Sequence, residues 1–358
     1  MSTKLRVVCW STGTVGRHVI AGVDAHHDLE LVGVWVSNPD KVGRDAGDLA
    51  GLGRDLGVTA TNDREALLAL EPDAIIHSAM TDDRVLEALE DLTSFVRAGV
   101  NVVSSGPVLL QYPYGILWDD ALRQVEEATR EGGASLHVNG IDPGFANDVL
   151  PLVMTSLSQR IDLVRVSEIA DYSTYYQPVV NSELFGFGRP MDHEAMLWQP
   201  GVLSMAWGSV VRQIAAGLGL ELDEPLDEVV DRRPAGDDLT TASGEIPAGS
   251  LGAVRFQVRG LVGGEPRVVL EHVTRNHPDQ APDWPTPPEG GGCYRVEIEG
   301  QPRMQVDFTH RGEGGDHNDS GMITTAMRLV HATPHVVAAE PGLVTALDLM
   351  HVTGRGVA

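Results

Sequence analysis

Residues 11 to 16 read Ser11-Thr12-Gly13-Thr14-Val15-Gly16, a Ser-x-Gly-x-x-Gly spacing whose residue types suit the cradling of a diphosphate. Gly13 lets the backbone approach phosphate oxygens, Gly16 lets a following helix lie close to a sheet, and amide N–H groups at a helix start favour negative charge. Serine stands at the first glycine position of that fingerprint. An ordinary βα turn uses similar small residues, so position must decide between them. About 20 residues further on, an NAD-preferring site presents a carboxylate to the ribose hydroxyls. That stretch here reads Val36-Ser37-Asn38-Pro39-Asp40-Lys41, with Arg44 three residues later and no carboxylate at the expected strand tip. Ser37, Asn38, Lys41 and Arg44 suit a 2′-phosphate, which points to NADPH and keeps NADH as the second choice; a solvated turn is the competing reading. Three later segments carry small residues that leave room for a flat nicotinamide ring: His77-Ser78-Ala79-Met80, Ser104-Ser105-Gly106-Pro107 and Asn139-Gly140-Ile141-Asp142-Pro143-Gly144-Phe145.

The elements that must position these residues are legible in the first 145 residues. Leu5 to Trp10 is a short apolar run rich in β-branched residues, and Val15, Val19, Ile20 and Val23 follow at helical spacing. Strand-like runs recur at Leu29–Val36, Asp73–Ala79, Val100–Ser104 and Ser135–Val138, with helical patterns at Arg64–Leu70, Asp83–Arg97 and Ile116–Arg130 between them. Strands alternating with helices predict a parallel sheet with right-handed crossovers, so successive strand ends deliver their loops to one edge, where ligands bind. The Ser-x-Gly-x-x-Gly segment directly follows the first strand, which favours the fingerprint reading.

Composition narrows the partners. The 358 residues carry 26 Lys+Arg against 51 Asp+Glu, a formal charge of −25, which disfavours nucleic acid. No apolar run approaches the ~20 residues needed to span a bilayer, and no apolar signal core follows Lys4. A cytoplasmic location without membrane contact is expected. Cys9 and Cys293 are far apart and outside any Cys-x-x-Cys pair, which disfavours a disulfide framework and a structural zinc site. Lys4 and Lys41 are the only lysines, so Schiff-base chemistry has almost no candidate. No metal is expected: Pro334 between His331 and His335 predicts a broken helix, and His193-Glu194 lacks the second histidine of a zinc protease.

From Asn147 the pattern changes. Leu163–Ala170, Val254–Leu261, Arg267–Thr274, Tyr294–Glu299 and Arg303–Phe308 read as five antiparallel strands, the last two joined by a turn at Gly300. Residues 172 to 207 hold Tyr172, Tyr175, Tyr176, Phe185, Phe187, Trp198 and Trp207, 7 of the 18 aromatics in a tenth of the length. That density predicts an apolar substrate pocket, a dimer core, or ordinary packing between helices and sheet. Residues 276–292 read as a loop or lid, Thr309–Ser320 as irregular, and the chain from Met322 as a helix.

Ser-Thr-Gly-Thr-Val-Gly, then Asn101-Val102-Val103-Ser104-Ser105 with Tyr112-Pro113, then Asn139-Gly140-Ile141-Asp142-Pro143-Gly144-Phe145 together resemble the dihydrodipicolinate-reductase-like group that contains 2,4-diaminopentanoate dehydrogenase and the native amine dehydrogenases. The resemblance covers nearly the whole chain. It implies a homodimeric NAD(P)-dependent oxidoreductase that interconverts a primary amine with a ketone or aldehyde plus ammonia through an imine. The implied fold is α/β: an N-terminal Rossmann-type doubly wound parallel sheet plus a C-terminal α+β domain with an open mixed or antiparallel sheet. The expected boundaries are 1–146 for dinucleotide binding, 147–318 for substrate binding and dimerisation, and 319–358 for a helical return to the first domain. The chain departs from the group in one place. Its amine-acting members carry a glutamate in the loop after the Val-Val-Ser/Thr-Ser/Thr strand, whereas residues 92–118 here contain no carboxylate. The His-His-x-x-Lys motif of true dihydrodipicolinate reductases is absent too, since His26-His27 has no lysine after it.

Hydride transfer needs the reacting carbon held about 3–3.5 Å from its partner and a group that exchanges the substrate proton. Tyr112 and His193 are the first candidates and Glu168 the next, with Asp171 and Glu194 as other displaced carboxylates; each also has a purely structural reading. The expected substrates are small hydrophobic ketones, aldehydes or amines, with ammonia as co-substrate. A carbonyl reductase or alcohol dehydrogenase of the same fold and a non-catalytic nucleotide-binding sensor are the alternatives.

Overall fold

In the computed structural model, residues 4–81 and 84–349 are described. The first compact unit runs to Gly144 and takes in the segment from Met322; the second is built from Phe145 to Gly321. In chain order the first unit begins β1 Leu5–Trp10, α1 Thr14–Ala25, β2 Leu29–Trp35, α2 Ala46–Ala50, β3 Ala60–Thr61 and α3 Arg64–Leu68. It continues β4 Ala74–His77, α4 Val85–Arg97, β5 Asn101–Ser104, α5 Asp119–Gly132 and β6 Ser135–Val138. The strands lie in the order β6-β5-β4-β1-β2-β3 and every pair is parallel. Asp83, at the start of one expected helix, lies outside the described residues.

Period-two alternation explains the layering. Val7 and Cys9 of β1 face a core shared with Val19, Ile20 and Val23 of α1, while Val8 and Trp10 face a second core with Leu92, Phe95 and Val96 of α4. Two apolar faces require helices on both, which is the doubly wound arrangement. α5 shows why its helix forms where it does: Asp119 and Asp120 sit in the first turn, Arg130 in the last, and Gly133 closes it with φ 64°.

The second unit contains α6 Val149–Thr155, β7 Arg160–Asp171, α7 Val202–Leu218, β8 Asp227–Pro234, β9 Leu239–Thr241, β10 Gly244–Ile246, β11 Leu251–Val262, β12 Glu265–Arg275, β13 Gly292–Gln301 and β14 Met304–Phe308. Its main sheet has six strands, in the order β14-β13-β7-β12-β11-β8, with β9 and β10 as a separate hairpin. The five expected strands are all present, and β8 is the sixth. β7 and β12 pair in parallel, against the antiparallel expectation, because the long connection through α7 lets both run the same way. Gly300 is no turn: it lies inside β13 at a register shift, where a Cβ would come 2.0 Å from the Arg160 carbonyl oxygen.

α8 spans His317–Val337 and is followed by β15 Gly342–Val344, which extends the first sheet beside β6. Pro334 lies inside α8 and does not end it, contrary to expectation. Leu329, Val330 and Val336 are fully buried, and Thr333 donates its hydroxyl to the Leu329 carbonyl, so packing outweighs the missing proline N–H. The helix also starts five residues before Met322. Residues 350–358 of the expected C-terminal segment lie outside the described residues.

Candidate functional site

In the first unit Trp10, His77, Ser104 and Val138 stand level across β1, β4, β5 and β6. The chain leaves each strand still bonded to its neighbour: Ser78 N–H donates to Trp10 O (3.0 Å), Ser105 N–H to His77 O (3.0 Å) and Asn139 N–H to Ser104 O (2.9 Å). The three small-residue loops therefore leave one edge in register with the Ser-x-Gly-x-x-Gly turn. Ser11 holds φ 103°, the left-handed region that L-residues rarely occupy, and its hydroxyl accepts from Gly13 N–H at 3.2 Å. A Cβ on Gly16 would lie 2.3 Å from the Ser11 carbonyl oxygen, so only glycine fits there. Gly13 is the exposed N-cap of α1, no side chain caps the helix, and its first turn holds no acid, so Thr14, Val15 and Gly16 present amides and a positive dipole end to an anion.

Lys41 reaches across this turn, its ammonium donating to Thr12 O (3.2 Å) and Thr12 Oγ1 (3.1 Å). Arg44 is already paired with Asp48 at 2.7 Å. Ser37 and Asn38 are exposed, Asn38 capping a short turn by accepting from Asp40 N–H. Ser104 lies buried against His77, while Ser78, Ala79 and Ser105 are half-buried and Gly106 is buried. A Cβ on Gly144 (φ 127°), after Pro143, would lie 2.1 Å from Gly140 N, so this loop is also closed to side chains. Asn139 is 2% exposed and its Oδ1 has no partner among the described residues. A cradle closed to side chains, an uncapped helix start, a nearby ammonium and an orphaned carboxamide oxygen together fit a pyridine dinucleotide. Tyr112, in the loop after β5, is half-buried with its ring 5.1 Å from Tyr114.

In the second unit, cross-strand register sets a single row: Val230 of β8, Phe256 of β11, His272 of β12, Glu168 of β7, Tyr294 of β13 and Phe308 of β14. Glu168 is the one carboxylate in it. His272 Nδ1 lies 3.0 Å from Glu168 Oε2, and the His272 Nε2 contacts Thr274 Oγ1. Tyr172 donates its hydroxyl to Glu168 Oε1 at 3.5 Å. Rings pack around the group: Phe185, Phe256, Trp207 and Tyr172 all lie within 6.1 Å of His272, centroid to centroid. Burial pushes the Glu168 carboxyl up, but His272, His317 and the Tyr172 hydroxyl together draw it below its ordinary value. Glu168 therefore stays a carboxylate at neutral pH.

His317, at the start of α8, and His310 stack at 4.6 Å, and each ring lies within 6.2 Å of Tyr294. Burial and His317 push His310 down to about 4, and burial lowers His317 as well. Of the sequence candidates in this unit, only Glu168 occupies the cluster. His193 is exposed on a loop, Glu194 accepts from Gln199 at 3.4 Å, and Asp171 caps Ser173 N–H. Sequence reasoning missed His272, His310 and His317. His272 had a visible signal, a histidine in the buried phase of a Val-rich strand; the other two lie in a stretch without periodicity. Among the described residues, His26, His27 and Asp28 are the one set of donors close enough to share a metal ion, and His331 lies beside them at 5.6 Å.

Residues 145–354 match the family model described as 2,4-diaminopentanoate dehydrogenase C-terminal domain, and residues 6–104 match dihydrodipicolinate reductase, N-terminus. Over 347 residues the chain is 49% identical to a protein named amine dehydrogenase from Streptomyces virginiae, covering 96% of each. The chain belongs to this amine dehydrogenase and diaminopentanoate dehydrogenase family. The resemblance carried by the three motifs is thereby borne out. A 2,4-diaminopentanoate dehydrogenase from Acetoanaerobium sticklandii is 24% identical over 97% of this chain and 93% of its own. The solved amine dehydrogenase from Mycobacterium smegmatis shares the fold, with TM-score 0.75 and 23% identity over 99% of this chain and 98% of that one. The family's two-part architecture is thus the one observed here.

Proposed function

We propose that this protein is an NAD(P)-dependent amine dehydrogenase that interconverts small hydrophobic ketones or aldehydes plus ammonia with primary amines. The observation that carries this reading is the 49% identity, over nearly the full length of both chains, to a protein named amine dehydrogenase. In the direction of oxidation, one protonated primary amine, one water and one oxidised coenzyme give one ketone or aldehyde, one ammonium ion, one reduced coenzyme and one proton. The bound nicotinamide supplies the hydride acceptor. The chain's own residues do the rest. The amides of Thr14, Val15 and Gly16 and the backbone at Gly13 hold the diphosphate, with the Ser11 hydroxyl fixing the turn. Lys41 offers its charge to a 2′-phosphate, which favours NADPH over NADH. Ser78, Ala79, Ser104, Ser105, Gly106, Pro143 and Gly144 leave space for the nicotinamide, and the orphaned Asn139 Oδ1 accepts from its carboxamide.

Within the second unit, Glu168 is the carboxylate this reading assigns to the substrate amine. Held as a carboxylate by imidazoles rather than by guanidiniums, it pairs with the substrate ammonium and orients the N–H bonds. The surrounding rings suit an apolar substrate chain and stabilise a cation. Tyr112 stays a second hydrogen-bond donor and His193 a surface residue without a chemical role. Two buried free thiols, Cys9 and Cys293, suit a reducing compartment and support a cytoplasmic location, and the family resemblance implies a homodimer. No described helix is long and apolar enough to cross a membrane.

The test is oxidation of NADPH and of NADH with a panel of small ketones, with and without ammonium. Ammonia-dependent oxidation with amine as product supports the reading. Oxidation indifferent to ammonium replaces it with a carbonyl reductase, and coenzyme binding without turnover replaces it with a nucleotide-binding sensor.

A further inference from the structure

The carboxylate that would hold the amine is a poor place to leave a proton. Glu168 is drawn below its ordinary value, so a proton accepted there returns readily, and oxidation of an ammonium needs a group that takes one. His317 meets the requirement by geometry. It is 8% exposed, and its Nδ1 has no hydrogen-bond partner among the described residues. Its other face is fixed: a Cβ on Gly292 would lie 2.3 Å from His317 Nε2, so the strand is cut back to glycine to seat the ring. Ala170, which pairs with Gly292, is two residues from Glu168 on β7 and on the same face. A buried imidazole nitrogen without a partner costs free energy, and each such group in a folded protein calls for an explanation, of which a catalytic role is one.

We infer that His317 is the group that exchanges the substrate proton, its Nδ1 accepting from the ammonium that Glu168 holds. This rests on the amine reading above. In the step an N–H bond of the substrate ammonium breaks and an Nδ1–H bond forms, leaving a neutral amine whose lone pair would assist loss of hydride from the adjacent carbon when an oxidised coenzyme is bound. The imidazolium then passes its proton to water. The groups that act on His317 are Glu168 from β7, Asp316 beside it, Arg311 and the stacked His310, with Tyr294 of β13 across its ring. Burial outweighs the two carboxylates and holds the imidazole below its usual value, so it is neutral and able to accept at neutral pH.

The experiment follows amine oxidation by the full chain at saturating coenzyme, from pH 5 to 10, for wild type, His317→Gln and His317→Ala. Coenzyme affinity is measured by fluorescence titration, and folding by thermal melting. His317→Ala is expected to lower kcat about 100-fold or more with coenzyme affinity unchanged. It should abolish the acid limb of the kcat/KM profile and regain part of the rate with added imidazole. His317→Gln keeps the size of the side chain and should lose the same limb. A folded His317→Gln that retains kcat within about threefold and the wild-type pH profile overturns the assignment. If His317→Ala fails to fold, the glutamine variant and its pH profile decide alone. Absence of wild-type turnover on any amine or ketone overturns the amine reading itself, a different result from an active wild type with an inert His317.

Discussion

Two glutamates, one half-buried and one buried, sit one register step apart on neighbouring strands, and their partners give them opposite characters. Glu168 of β7 pairs across with His272, while Glu271 of β12 pairs across with Ser167, so alternation sends the two carboxylates to opposite faces of one sheet. Glu271 is 3% exposed and accepts from Arg255 (Nε 3.0 Å, Nη2 2.7 Å), Gln257 (2.7 Å) and Ser167 (3.3 Å), with Arg165 at 3.8 Å. Burial pushes it up, yet Gln257, Arg255 and Arg165 hold it below the ordinary carboxylate value. Guanidinium does not titrate, so the Glu271 carboxylate is committed to its partners. Imidazoles do titrate, and they surround Glu168 without using it up. A carboxylate inside a sheet is structural or reactive according to what pairs with it.

The comparison is broken most directly by exchanging each glutamate for glutamine. Glu168→Gln should lower kcat/KM for amine oxidation by about 10² to 10⁴-fold while leaving the melting temperature within a few degrees, since the glutamine amide keeps the size of the side chain and its hydrogen-bonding capacity. Glu271→Gln should leave kcat per folded molecule nearly intact and cost about 1–3 kcal/mol in urea unfolding, because half-buried Arg255 loses its carboxylate partner. If both variants lost activity alike, or both only stability, the two faces would not differ in the way their partners imply.

Much of this contrast lies beyond what a sequence displays. The first unit is legible because its periods switch cleanly between two and 3.6, as from Val8-Cys9-Trp10 to Val19, Ile20 and Val23. β3 and β15 escape because two or three residues cannot show a period, and β8 because its charged residues alternate in pairs with valines. The nucleotide edge is legible for the same reason as its strands: the fingerprint, Ser104-Ser105 and Asn139 all fall at strand ends, and parallel topology brings strand ends together. Glu168 can be named from the sequence but not its neighbours. His272 and Tyr294 reach it through register between strands more than 100 residues apart, and register is set by packing of whole faces. Pro334 shows the converse, a strong local signal overridden by buried Leu329, Val330 and Val336.

Acid sharpens the comparison further. His310 titrates at about 4 in the folded chain and near 6.5 when unfolded, so the unfolded state takes the proton first. The stability this neutral imidazole contributes is therefore complete above pH 6.5 and is lost as pH falls from there towards 4. Glu271 is shifted below its ordinary value of 4.5, so its contribution is complete above that value and declines as pH falls below it. Urea unfolding at stepped pH should show His310→Gln flattening the slope between about pH 6.5 and 5, and Glu271→Gln lowering the curve with its slope between those values unchanged. An unaltered slope in His310→Gln would mean that the folded cluster already carries the charge.

The same distinction between a charge already paired and one on offer separates the two cations beside the fingerprint. Arg44 is committed to Asp48, and among the described residues Lys41 rests only on the neutral oxygens of Thr12. Removing a cation that a 2′-phosphate can use must weaken NADPH more than NADH, whereas removing one held by a carboxylate also releases that carboxylate. Lys41→Ala is accordingly expected to raise the Kd for NADPH about tenfold, or about 1.4 kcal/mol, with NADH changed less than twofold. Arg44→Ala should move neither by more than about twofold. Fluorescence titration with both coenzymes reads all four values. Equal losses of NADPH and NADH in Lys41→Ala would assign the lysine to the diphosphate that both share, and would leave the choice of coenzyme to the hydroxyl and amide of Ser37 and Asn38.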